Sequence, residues 1–352
     1  MRKDRALAKE INTSLAGLHD SSAFADPFEW SGNEEDTRRR RAEFEALGER
    51  LSAYTHVSRA ATVTKLLLFG TLLPGALFAL FVWLDFPDDT GIRAWTWMLL
   101  LVAAFVSAVA AVATWWPSAV GEDISFALYA IPRGWSFSRL HGRAVWSKLR
   151  ETYGYFDRGD DDQEIRARIW GHLDDERRRP FMMFVFHWVD IEHRPRYNAS
   201  KKRVETRKVR IPRERHGIFV GMPEAQVRIR ISETEKAHGS DSSIRLEHGA
   251  LNKAADISCR KSDELEARKF LSPAVQEVLM MFSEGLPKMH LDVFPGHVLI
   301  LSELEYLAGP PRIKLNRDGA GFESRIGPWI DGVETFRTTV DDGLRRIAKY
   351  ND

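Results

Sequence analysis

Two histidines, His187 and His193, flank Asp190 and Glu192, and side chains of these types, if gathered, would ligate a divalent metal. Their spacing works against it. Phe181–Glu192 reads as a β-strand, in which side chains alternate faces and each residue rises about 3.3 Å. His187 and His193 then share a face but lie roughly 20 Å apart, while Asp190 and Glu192 point the other way. Ordinary strand residues are the better reading. The run Asp157-Arg158-Gly159-Asp160-Asp161-Asp162 offers carboxylate oxygens for Ca²⁺ or Mg²⁺. It lacks the EF-hand order of Gly sixth and Glu twelfth, so a solvated turn is favoured.

Nucleophilic catalysis finds no anchor either. The chain contains no Gly-x-Ser-x-Gly elbow, no P-loop, no Gly-x-Gly-x-x-Gly and no His-Glu-x-x-His. The lone Cys259 sits in Ile257-Ser258-Cys259, a strand candidate in which a small buried hydrophobe is its usual role. A thiol nucleophile would need a thiolate-stabilising neighbour. Glu266 and Arg268 alternate around Ala267 as solvated strand residues would, with a buried ion pair as the alternative. No residue is therefore assigned to catalysis, to a cofactor or to a metal.

The segment that departs most from background is 194–215. It holds ten basic residues, Arg194, Arg196, Lys201, Lys202, Arg203, Arg207, Lys208, Arg210, Arg213 and Arg215, against Glu205 and Glu214, with Tyr197 its only aromatic. One reading is a solvated hairpin whose charges protect a sheet edge. The others are contact with anionic lipid head groups, with an acidic protein partner or with nucleic acid. Single-strand binding normally adds a platform of stacking aromatics, so one tyrosine argues against nucleic acid. The near-neutral balance of the whole chain, 51 Lys+Arg and 50 Asp+Glu in 352 residues, likewise excludes a globally basic binder. A single cysteine excludes a disulfide scaffold and a Cys-based zinc site.

What holds these residues in place begins at a membrane. Residues 66–84 and 95–116 carry no charge, and as helices they would span roughly 28 and 33 Å, close to a hydrocarbon core of about 30 Å. Trp83, Trp95, Trp97, Trp115 and Trp116 stand at their ends, as an interfacial aromatic belt requires. A buried soluble hairpin is the weaker alternative. Between Arg38 and Lys65 there are seven basic and three acidic residues, whereas Asp85–Ala94 carries three Asp and one Arg. The positive-inside rule then leaves both termini cytoplasmic and only the acidic connector outside. Small residues of the second span, from Ala103 to Ala113, suit packing on the first span or a homo-oligomer contact.

The expected organisation is a mostly disordered tail over 1–36, with a short helix near Ala6–Leu18, then a juxtamembrane helix over 37–61. Spans follow over 62–84 and 95–116 around the loop 85–94, and an α+β domain over 117–352. Phe44, Leu47, Leu51 and Tyr54 set the stripe of the juxtamembrane helix. In the domain, Trp135–Tyr153 reads as a helix. Strands are expected at 165–173, 181–192, 204–211, 217–222, 226–231, 256–259, 289–294 and 297–302. Helices are expected at 273–283 and 328–350. Pro295-Gly296 signals a hairpin. The strand-rich middle favours a mixed, largely antiparallel sheet with helices over a doubly wound fold.

Along this pattern lie Gly154-Tyr155-Phe156-Asp157, Ile169-Trp170-Gly171-His172, Arg215-His216-Gly217-Ile218-Phe219-Val220, Val298-Leu299-Ile300-Leu301-Ser302 and the segment Asp263-Glu264-Leu265-Glu266-Ala267-Arg268-Lys269-Phe270-Leu271-Ser272-Pro273-Ala274. Over roughly residues 60–350 the chain resembles the bacterial membrane family called domain of unknown function 3137. The resemblance implies two-span topology in the bacterial inner membrane and implies no established activity. The expected role is a non-catalytic binding or scaffolding module beside the lipid bilayer, with anionic head groups, a protein partner or a second copy as candidate partners. The alternative is a membrane-tethered enzyme with an unrecognised site.

Overall fold

The computed structural model describes residues 2–19, 34–52, 119–120, 122–173, 178–198, 203–234, 241–307, 310, 313–314 and 322–351. Both uncharged runs, 66–84 and 95–116, lie outside the described residues, as does the connector between them. Among the described residues no helix is long and apolar enough to cross a membrane.

The chain divides into two compact units. The first holds α1 (Arg2–Gly17) and a short antiparallel pairing of β1 (Ala119–Val120) with β11 (Ile313–Lys314). Ile11 and Leu15, four apart on one stripe of α1, are buried. This helix is longer than the one expected near Ala6–Leu18. Helix α2 (Glu34–Ser52) buries Leu47 of the expected juxtamembrane stripe, and Tyr54 lies outside the described residues.

The second unit is built on an antiparallel sheet of nine strands among the described residues. In chain order these are β2 (Ser136–Ser138), β3 (Asp161–His172), β4 (Pro180–Asn198), β5 (Arg203–Met222), β6 (Ile229–Ser232), β7 (Asp241–Ser243), β8 (Asp256–Arg260), β9 (His290–Phe294) and β10 (Gly296–Ser302). Their spatial order is β2-β3-β4-β5-β10-β9-β6-β8-β7. The α+β class with a large antiparallel sheet is thus present.

Alternation gives the sheet two different faces. On one, Phe184, Phe186, Phe219, Leu299 and Leu301 form a cluster with Tyr153, Phe156, Val145 and Leu149, the last two from α4 (Gly142–Thr152). Gly217 belongs here because a Cβ would collide with the Phe184 ring and Leu301. On the other face Phe181 meets Trp135 edge to face. Trp135 in turn touches Tyr129 of α3 (Asp123–Ala130). Val275, Val278, Leu279 and Phe282 of α7 (Pro273–Gly285) are buried, as the apolar spacing predicts. The Phe282 ring packs where Gly343 of α8 (Phe322–Asn351) leaves no side chain. Two shorter helices, α5 (Leu251–Ala254) and α6 (Glu264–Phe270), complete the unit.

Four local expectations need correction. Trp135–Tyr153 is not one helix: Ser136–Ser138 pairs with Arg168–Trp170, and the helix begins only at Gly142. Sheet pairing and burial of Phe137 overrode the local pattern. Residues 204–211 and 217–222 form one strand running through Pro212. That proline is tolerated because β5 is still an edge there, its pairing with β10 starting at His216. Glu266 and Arg268 lie on α6, where Arg268 reaches back to Glu264 at 2.9 Å. The acidic run is not a solvated turn throughout. Asp161 and Asp162 open β3 and bind Arg210 at 2.7 and 2.5 Å.

Candidate functional site

Strands β4 and β5 pair continuously from Phe181↔Val220 to Asn198↔Arg203. Their neighbours stop early: β3 pairs no further along β4 than Val189, and β10 no further along β5 than His216. Asp190–Asn198 and Arg203–Ile211 therefore form a two-stranded ribbon of roughly 30 Å with both edges unpaired among the described residues. Charged residues and prolines on such edges discourage strand addition, and Pro195 and Pro212 fit that purpose.

The ten basic residues divide sharply along this hairpin. Lys201 and Lys202 lie outside the described residues, and Arg196 and Arg203 are placed only as strand backbone. Arg194 is exposed and bound to Glu192 at 2.7 Å. Arg207 and Lys208 are exposed and make no ion pair with a described residue. Arg210 is tied to Asp161 and Asp162, and Arg213 to Asp190 at 3.3 Å. Arg215 turns inward and meets Glu303 at 3.0 Å. The register sets Arg194 directly opposite Arg207 and His193 opposite Lys208. Like charges facing each other across a pair destabilise it, and Glu192 offsets the charge on the Arg194 side.

Arg215 leads to a second gathering that the sequence did not reveal. On the face covered by α4, the aromatic packing ends at Tyr155 and the sheet surface turns polar. His290 and Asp292 share one face of β9, and Arg230 of β6 stands opposite Asp292. His290 Nε2 is 3.1 Å from Asp292 Oδ2, and Arg230 Nε donates to Asp292 Oδ1 at 3.1 Å. The Tyr155 ring lies 4.5 Å from the His290 ring, and Arg158 stacks over Tyr155 at 3.9 Å. Lys288 meets Glu303 at 2.6 Å beside Arg215. Tyr153 Oη is 2.8 Å from His297 Nε2 at the other end of the same surface.

The electrostatics follow from this crowding. Burial works to raise the Asp292 carboxyl, but His290 and Arg230 outweigh it and hold the group below the usual carboxylate range. Burial pushes the Tyr155 phenol up against the pull of Arg158 and Arg215. Burial also lowers the Arg158 guanidinium, and the like charges of Arg215 and Arg230 add to that effect. Arg215 Nη1 is buried without a hydrogen-bond partner among the described residues.

Ser232 lies directly opposite His290, so Ser, His and Asp share one surface. All three are at most 3% exposed, which denies a substrate access to the hydroxyl and makes them a buried polar network. His187 is buried, 3.4 Å from Glu214, whereas His193 is exposed. Among the described residues no group of His, Cys, Asp and Glu is arranged to hold a metal ion. Cys259 is buried in β8, and burial pushes its thiol up.

Sequence reasoning found the hairpin but missed the polar surface, because its members come from 155–158, 215, 230, 288–292 and 303. Only the period of two in His290-Leu291-Asp292 pointed to it locally. No protein-family model, curated protein or solved structure matches the chain.

Proposed function

We propose that the chain is a two-span protein of the bacterial inner membrane, with both termini cytoplasmic, as the family resemblance implies. Its α+β domain serves as a non-catalytic binding module that presents the β4–β5 ribbon to anionic lipid head groups of the cytoplasmic leaflet. The observation that carries this reading is the exposed facing pair Arg194 and Arg207, with Lys208 beside it, on a ribbon that extends past its own sheet. Glu192 offsets Arg194, while Arg207, opposite it, and Lys208 remain open to external negative charge. Each basic residue near an anionic surface contributes about 1 kcal/mol, and the attraction falls away within a Debye length of about 8 Å. Tethering by the second span keeps the ribbon close to that surface without any pocket.

Two experiments test the two parts of this proposal. Reporter fusions along the chain should report outside only between Asp85 and Ala94, and an external signal from the Cys259 region would contradict the topology. Full-length protein in bilayers with and without phosphatidylglycerol is then digested briefly with trypsin. Cleavage at Arg207 and Lys208 should slow in the anionic bilayer and recover in high salt. Equal rates in both bilayers would return the ribbon to a solvated hairpin.

A further inference from the structure

We infer that the β4–β5 ribbon enters the bilayer tip first, with Val204 in the boundary between head groups and acyl chains and the basic residues behind it at head-group level. The inference rests on the reading of the ribbon as a membrane contact and adds a depth and an orientation to it. Val204 is 65% exposed and stands one residue in from Asn198↔Arg203, the last pair of the ribbon. Alternation puts Val204, Thr206 and Lys208 on one face of β5, with Pro195 and His193 opposite Thr206 and Lys208. All five are exposed. Moving inward from the tip, this face is uncharged over Val204, Thr206 and Pro195 and gains its first lysine only at Lys208. Arg194 and Arg207 lie on the other face.

A single exposed valine on a globular surface needs no explanation. Here its position supplies one: the ribbon runs past its own sheet, so its end can reach a surface that the sheet cannot. Interfacial segments sit with their apolar residues about 5–10 Å into the boundary of head groups and acyl chains. Lys208 follows Val204 by four residues, roughly 13 Å along the strand, which leaves its ammonium among the lipid phosphates when Val204 is at that depth. Tyr197, a residue type enriched at membrane–water interfaces, is the register partner of Val204. Cations set behind an uncharged end fit a layered surface, charged outside and apolar beneath, whereas an acidic protein would meet them best at the end itself. One valine is too little to hold the ribbon alone. The cations bring it to an anionic surface, and insertion follows.

The test uses the full-length protein reconstituted in bilayers with and without phosphatidylglycerol. A nitroxide is attached to Val204→Cys, since Cys259 is buried. Its collisions with oxygen, which concentrates in the acyl region, are compared with those with a water-soluble nickel chelate. In the anionic bilayer oxygen should gain and nickel lose, both returning toward the neutral-bilayer values in high salt. The natural side chain is tested separately by trypsin. Val204→Ser should raise cleavage at Arg207 and Lys208 in the anionic bilayer, relative to the neutral one, about fivefold, on the order of what one to two methyl groups contribute on leaving water. Val204→Leu should not raise it. A nitroxide open to nickel in anionic bilayers that still slow trypsin would overturn insertion and leave the head-group contact standing. Collision and cleavage rates equal in both bilayers would remove the contact and the insertion with it. Loss of collisions with both reagents would place Val204 against protein and overturn the inference.

Discussion

The two ends of β5 carry similar residues and meet opposite fates. At its start Arg207 and Lys208 stand in water on a ribbon held by a single partner strand. Eight residues after Arg207, Arg215 is drawn into the body, paired to Glu303 and close to Tyr155. Neighbouring carboxylates make the difference. Arg215 lies one residue beyond the last β10 pair, Ser302↔His216, where Glu303 follows on from β10, and a cation at that packed border finds a partner. Farther out, past the reach of the β3 carboxylates that hold Arg210, Arg207 and Lys208 keep their hydration and remain available to an external surface. Charge density along a chain therefore says little about function until the neighbours of each strand are known.

The comparison breaks most visibly in the body. Phe219 is fully buried between Phe184, at 5.4 Å, and Tyr153, at 4.9 Å. Phe219→Ala should cost about 3–5 kcal/mol in chemical denaturation of the full-length protein. A loss below 1 kcal/mol, on the order of an average surface change, would show that this half of β5 is not core.

A second test uses acid. His216 is buried on the opposite face, its Nδ1 accepting the Leu307 amide at 3.2 Å, and burial lowers it to about 4. Its depressed pKa means that the unfolded state takes up a proton first as the pH falls below the ordinary histidine value of about 6.5. Stability is then complete above that value and declines as the pH drops toward about 4. The decline should amount to about 3 kcal/mol, with His187, also lowered by burial, adding to the same window. His216→Gln should flatten that limb in a series of denaturant titrations against pH. An unaltered slope would show that His216 is not held neutral.

The smallest effect sharpens the other side. Arg207→Glu converts the facing pair with Arg194 into opposite charges and should stabilise the ribbon by about 0.2–1 kcal/mol, while removing any preference for anionic lipid. A destabilisation measured by the same titrations would mean that Arg207 has a structural partner.

Much of this was legible in the sequence. The strand expected over Phe181–Glu192, the Pro295-Gly296 turn and the apolar spacing of Val275, Val278, Leu279 and Phe282 each placed an element correctly. Less legible was anything decided by distant neighbours. Ser136–Ser138 became a strand because β3 offered an edge, and Asp161 and Asp162 became ion-pair partners because Arg210 stands beside them. For the polar surface the difficulty was greater still, since strands β9 and β6 bring His290, Asp292 and Arg230 together across 60 residues of chain.

The proximity of the ribbon to lipid is the measurement closest to the central claim. Thr206 is exposed near its tip and Cys259 is 2% exposed, so Thr206→Cys can be labelled selectively with a fluorophore in the full-length protein. Reconstituted into nanodiscs carrying head-group quenchers, the probe should be quenched strongly when phosphatidylglycerol is present. It should recover in high salt and with Arg207→Glu and Lys208→Glu together. Quenching that is equal in neutral and anionic discs, or unaffected by salt and charge reversal, would contradict the account.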